Sequence, residues 1–108
     1  MTQKKYNVML AVRADKMMLL HTAFLARISP AAARRLLADF KKAKLSLSEN
    51  PFKFPFADEL DAPGIPMETY RKCLFDNYKR YKALFLVEGI NVQIDAIIDC
   101  RQENKDIF

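Results

Sequence analysis

The stretch spanning residues 70–101 constrains this chain more than any other. It reads as three strands, 70–75, 80–88 and 92–99, each rich in aromatic and β-branched residues. The breaks, Asp76-Asn77 and Gly89-Ile90-Asn91, hold turn-forming residues. Gaps this short predict a three-stranded antiparallel meander. Alternation then sorts the side chains. Arg71, Cys73 and Phe75 share one side, and Tyr70, Lys72 and Leu74 the other. Arg80, Lys82, Leu84 and Leu86 oppose Tyr81, Ala83, Phe85 and Val87. Val92, Ile94, Ala96 and Ile98 form the expected core face, opposing Gln93, Asp95, Ile97 and Asp99. Arg71, Lys72, Arg80, Lys82 and, past the last strand, Arg101 are read as a cationic side suited to an anion.

The rest of the chain reads as support for that sheet. Residues 6–12 have strand composition. A helix follows from about Arg13, with Asp15 near its positive end, and runs to about Ile28. Met17, Leu20, His21, Phe24 and Ile28 recur at helical spacing and make one face, which Met18 and Leu25 widen, so contact is expected on both sides of the helix, with the sheet and with a second helix. His21 on that face reads as a satisfied boundary histidine. Ser29-Pro30 restarts the helix, Ser as N-cap and Pro at the first position. The second helix runs to about Leu47 and buries Ala33, Leu36, Leu37, Phe40, Ala43 and Leu47, so the two form an antiparallel hairpin. Residues 50–66 hold four of the five prolines and read as a loop. Its Phe52, Phe54 and Phe56 are expected to plug the loop onto the core. The order of elements predicts an α+β fold in one domain, residues 1–108.

Charge is uneven. The chain carries a net +5, yet residues 49–68 hold five acids and one base. The remainder holds the other 17 bases and 8 acids, a net of +9, which favours an anionic partner such as nucleic acid or an acidic protein. The acidic loop Asp58-Glu59-Leu60-Asp61 is placed to screen the basic sheet or to meet a partner. No apolar run approaches a membrane span, and no signal peptide precedes Tyr6, so a cytoplasmic chain with reduced thiols is expected. Cys73 and Cys100 lack a CxxC spacing and His21 is the one histidine, so no metal or cofactor is expected.

The ordered set of Ser29-Pro30-Ala31-Ala32-Ala33, Asn50-Pro51, Tyr70-Arg71-Lys72, Arg80-Tyr81-Lys82-Ala83-Leu84-Phe85 and Ile97-Ile98-Asp99-Cys100-Arg101-Gln102 resembles the RelE/ParE superfamily of bacterial toxins. These are the toxin halves of type II toxin–antitoxin modules, also called plasmid stabilisation proteins. The resemblance covers nearly the whole chain. It implies a RelE/ParE-like fold: N-terminal strand, antiparallel helix hairpin, then three-stranded meander. It implies a cognate antitoxin with an acidic or amphipathic C-terminal segment. It implies one of two targets. RelE-like members cut mRNA in the ribosomal A site; ParE-like members inhibit DNA gyrase by protein contact. Inhibition of translation is the first expectation, because Arg71, Lys82 and Arg101 match the family's phosphate-binding cations, with Lys72 and Arg80 beside them. In such an endoribonuclease the RNA's own 2′-OH attacks, and the protein stabilises charge and protonates the leaving oxygen. The family's C-terminal acid/base tyrosine, or histidine-tyrosine pair, has no counterpart, since Ile107 or Phe108 falls there. Cys73 stands where RNA-cleaving members can carry lysine, and Tyr70, Tyr78 and Tyr81 match no catalytic position. The resemblance therefore leaves open ribosome-dependent cleavage, gyrase inhibition, and a non-toxic member that keeps only its antitoxin contact.

Overall fold

The structure is a computed structural model that describes residues 5–57, 69–76 and 79–101. The acidic loop Asp58-Glu59-Leu60-Asp61, Asn77, Tyr78, Gln102, Ile107 and Phe108 lie outside the described residues. Strand β1 (Asn7–Leu10) leads into helix α1 (Val12–Ile28) and helix α2 (Pro30–Glu49), and a short 3-10 turn follows at Pro51–Lys53. The meander is β2 (Arg71–Phe75), β3 (Tyr81–Glu88) and β4 (Asn91–Asp99). β2, β3 and β4 pair antiparallel, and β1 adds alongside β4 in parallel, giving the order β1-β4-β3-β2.

A single residue joins the helices. Ser29 N–H donates to the Leu25 carbonyl at 2.7 Å, closing α1, while its Oγ accepts from Ala32 N–H at 3.2 Å, opening α2. Pro30 at the first position costs nothing, because that N–H has no helical partner. At the other end Asn50 Oδ1 accepts from Phe52 N–H and starts the 3-10 turn.

The core lies between the hairpin and one face of the sheet. Met18 and Leu25 of α1 and Leu36, Phe40 and Leu47 of α2 pack with Cys73, Phe75, Tyr81, Ala83, Phe85, Val92, Ile94 and Ile97. Phe40, Phe75 and Tyr81 stack in series, with centroid separations of 5.3 and 5.9 Å. A second, smaller cluster on the opposite face joins Leu84, Ala96 and Ile98 to Ala57, with Tyr70 and Met17 against it.

Three sequence expectations are corrected. First, β4 does not keep one core face. Leu84 pairs with Ala96 but Phe85 pairs with Ile94, so Asp95 is the extra residue of a β-bulge. The bulge reverses the alternation: Ile97 joins Val92 and Ile94 on the helix side, and Ala96 and Ile98 move to the other. Second, α1 is not covered on both sides: it buries its Met18 side and leaves its Leu20 side open. Ala14, Met18 and Leu25 are buried, whereas Leu20, Phe24 and Ile28 are exposed. The cause is that β1 is short. It ends opposite Ile94, and beyond that point α1 takes over the flank of β4. Ala11 N–H donates to the Ile94 carbonyl at 2.9 Å, and His21 Nε2–H donates to the Ile97 carbonyl at 2.9 Å. His21 thus satisfies a strand carbonyl that has no strand beside it. Third, Leu37 of α2 is exposed rather than part of its buried stripe.

Candidate functional site

The five cations singled out from sequence divide between two faces and two ends of the sheet. Arg71 starts β2 and shares the helix-facing side with Cys73 and Phe75, since it pairs with the buried Phe85. Its Nη1 donates to the Phe54 carbonyl at 2.7 Å. Its guanidinium lies 4.0 Å from the centroid of Phe56 and 5.4 Å from that of Phe52. Around it the loop backbone joins the strand: Ala57 N–H donates to the Tyr70 carbonyl, and Lys72 N–H to the Pro55 carbonyl. Arg71 is therefore the clamp that fixes residues 52–57 along the β2 edge. Of the three phenylalanines, Phe54 enters the core edge-on to Phe85, while Phe52 and Phe56 bracket the arginine.

Lys82 pairs with Leu74 and Ile98, so it lies on the opposite face from Arg71, and it is 5% exposed. Lys72, paired with Leu84, shares that opposite face and is half-buried. Arg80 precedes β3. Its Nε donates to Asp76 Oδ2 at 2.7 Å, and its backbone N–H to Asp76 Oδ1 at 3.3 Å. Asp76 holds a positive φ of 81°, a setting that aspartate tolerates and that these two bonds fix.

Arg101 sits at the far end. It makes two bonds to the Asp99 carboxylate, at 2.9 and 2.7 Å, and Asp99 also accepts from the Arg101 backbone N–H. Its Nη2 reaches the Tyr81 hydroxyl at 3.4 Å, and the guanidinium lies 5.8 Å from the Tyr81 ring. The hydrogen bonds from Arg101 hold the Asp99 carboxyl below its ordinary range, and that same contact raises Arg101 further above neutrality. Tyr81 itself is 1% exposed, and burial raises its hydroxyl pKa, so it is no accessible proton donor. Burial likewise pushes the Cys73 thiol up to about 11, which removes it as a nucleophile. On the second face the bulge residue Asp95 accepts from Tyr70 and from Gln93, each at 2.7 Å.

Arg71, Lys82 and Arg101 consequently do not converge. Arg71 stands opposite Phe85, whereas the Arg101 guanidinium lies beside Tyr81, four residues along β3, roughly 13 Å away at strand rise. The sequence reading missed the acids. Asp76 four residues before Arg80, and Asp99 two before Arg101, are local pairings visible in the sequence, and they occupy both arginines.

Among the described residues no helix is long and apolar enough to cross a membrane. No family model and no curated protein matches the chain. Its fold is that of a solved chain described as "Chromosomal ParDE TA system from P. aeruginosa", with a TM-score of 0.66 over 87% of this chain and 95% of that one, at 17% identity. The architecture is thus the RelE/ParE-type α+β fold expected from the sequence.

Proposed function

We propose that this chain is the toxin half of a type II toxin–antitoxin pair, acting by protein–protein contact in the manner of ParE-like members rather than by cutting RNA. The shared fold with a chain of a ParDE system supports the toxin reading. The observation that carries the choice of mechanism is the dispersal of the cations. RNA cleavage needs several charges around one phosphate and an accessible proton donor beside it. Here Arg71 is engaged by a loop carbonyl and two rings, Lys82 is buried on the other face, and Arg101 is held by its own aspartate. DNA gyrase is the target that follows from the ParE-like reading, in the cytoplasm, with an acidic or amphipathic antitoxin as partner and no cofactor.

Induced expression in a bacterial host tests this. The expected outcome is growth arrest with DNA breaks and an SOS response, while incorporation of labelled methionine continues through the first minutes. Early arrest of incorporation with cleaved mRNA would show the ribosome to be the target instead. Absence of any arrest would leave a non-toxic chain that retains only its partner contact.

A further inference from the structure

We infer that the outward face of α2 docks in the major groove of duplex DNA and holds it by its phosphates, without regard to sequence. Four cations of this helix stand in solvent: Arg34, Arg35, Lys41 and Lys42. Among the described residues none of the four takes part in a hydrogen bond, ion pair or ring contact. Asp39 stands one turn from both Arg35 and Lys42, yet it pairs with neither. Lys44 differs, since its Nζ lies 5.0 Å over the Phe40 ring. The four exposed cations form two rows. Arg34 and Lys41 are seven residues apart, as are Arg35 and Lys42, so each pair spans two turns along one side of the helix. The rows lie about 100° apart, the step between adjacent residues. Ala31, Ala38 and Leu45 run between them at the same seven-residue step, and all three are exposed. The buried stripe through Leu36 and Phe40 is on the far side. Glu49 closes the arc one turn past Leu45.

Shape and charge together select the occupant. The major groove of B-DNA is about 12 Å wide and admits an α-helix. A helix lying there needs small side chains toward the base edges and cations toward the phosphates of both strands. In α2, Ala31 and Ala38 would face the groove floor, and the two rows of cations would reach its two walls. The helix carries no asparagine or glutamine to read a base edge, so the phosphates supply the affinity. Duplex RNA does not fit, because its major groove is deep and narrow. A protein partner needs large apolar or aromatic anchors among its charges, and a lipid surface needs a broad apolar stripe. Two alanines and one leucine supply neither. The inference goes beyond the protein contact proposed above and does not depend on it.

The test uses the full chain and a fluorescein-labelled DNA duplex of about 20 base pairs, with anisotropy read from about 50 to 200 mM salt. Four phosphate contacts should give log Kd against log salt a slope of about 3.6, a loss of roughly 150-fold in affinity over that range. Arg34→Gln/Lys41→Gln and Arg35→Gln/Lys42→Gln should each lower the slope by about 1.8. The charge-matched Lys16→Gln/Arg27→Gln change on α1 should leave it as it is. Ala38→Phe alters no charge and should weaken binding at least about fivefold, by holding the helix off the groove floor. Circular dichroism should be the same for every variant. The inference is overturned if the duplex is not bound, or if the α1 change lowers the slope as much as the α2 changes, since net charge alone would then hold the DNA. It is also overturned if Ala38→Phe binds as tightly as the parent, or if duplex RNA of the same length binds as tightly as DNA. Displacement of the duplex by polyglutamate or phosphatidylglycerol vesicles as readily as by unlabelled DNA would likewise assign the face to a protein or a lipid surface instead.

Discussion

Arg71 opens β2 and Arg101 follows β4. Both lie against aromatic rings, and both look like phosphate ligands in the sequence. Their surroundings separate them. Arg71 donates to a main-chain carbonyl, is half-buried, and holds a proline-rich loop along the edge of the sheet. The Arg101 side chain is 51% exposed and takes its ion-pair partner from two residues away, with only a long contact to Tyr81 besides. A charge tied to a distant part of the chain stabilises the fold, whereas a charge tied to its own neighbour mainly sets the field at the surface.

The largest expected effect tests the first half of that contrast. Arg71→Ala should lower the free energy of unfolding by about 2–4 kcal/mol, from a charge-assisted bond and two ring contacts. Urea denaturation measures it, and a loss below about 1 kcal/mol would mean that Phe54 and the loop backbone hold without the clamp. The second substitution asks what secures the Arg101 end. His21→Ala should cost about 1–2 kcal/mol, because it leaves the Ile97 carbonyl without its donor, and His21→Gln should recover part of that. If His21→Ala is neutral, the flank of β4 is sealed by packing alone. The smallest effect is at Arg101. Arg101→Ala should cost at most about 1 kcal/mol at neutral pH, given an exposed pair. Asp99 is held low in the folded state, so the pair adds stability above the ordinary aspartate pKa of about 4 and loses it as pH falls through the lower folded value. Thermal melts of parent and Arg101→Ala should therefore converge on acidification. Curves that stay apart in acid would assign Arg101 a structural role like that of Arg71.

The meander was legible because its alternation and its short breaks agree, and the Ser29-Pro30 restart was legible from capping chemistry alone. The bulge carried a sign that alternation over the whole strand hid: Ala96-Ile97-Ile98 is an unbroken apolar run, as expected where both faces are covered. The setting of α1 was not legible. Its apolar residues run nearly all the way round, so stripes through Leu20 and through Met18 fit the helical period equally well. What decides between them is the short β1, which leaves the flank of β4 to the side of α1 that carries the fully buried Ala14. The roles of the cations were hidden for a different reason. Residue type reports charge, but only the register reports which face and which end of the sheet receives it.

The parallel pairing of β1 with β4 has a consequence for synthesis. Asn7 lies beside Asn91, so the first strand has no partner until the last one has been made. α1 likewise lacks Ile94 and Ile97, the carbonyls that its entry and His21 bond to. A nascent chain still short of β4 is an open hairpin without the strand that closes its core, and closing it spans most of the chain. On the ribosome this fold is therefore completed only once β4 has cleared the exit tunnel.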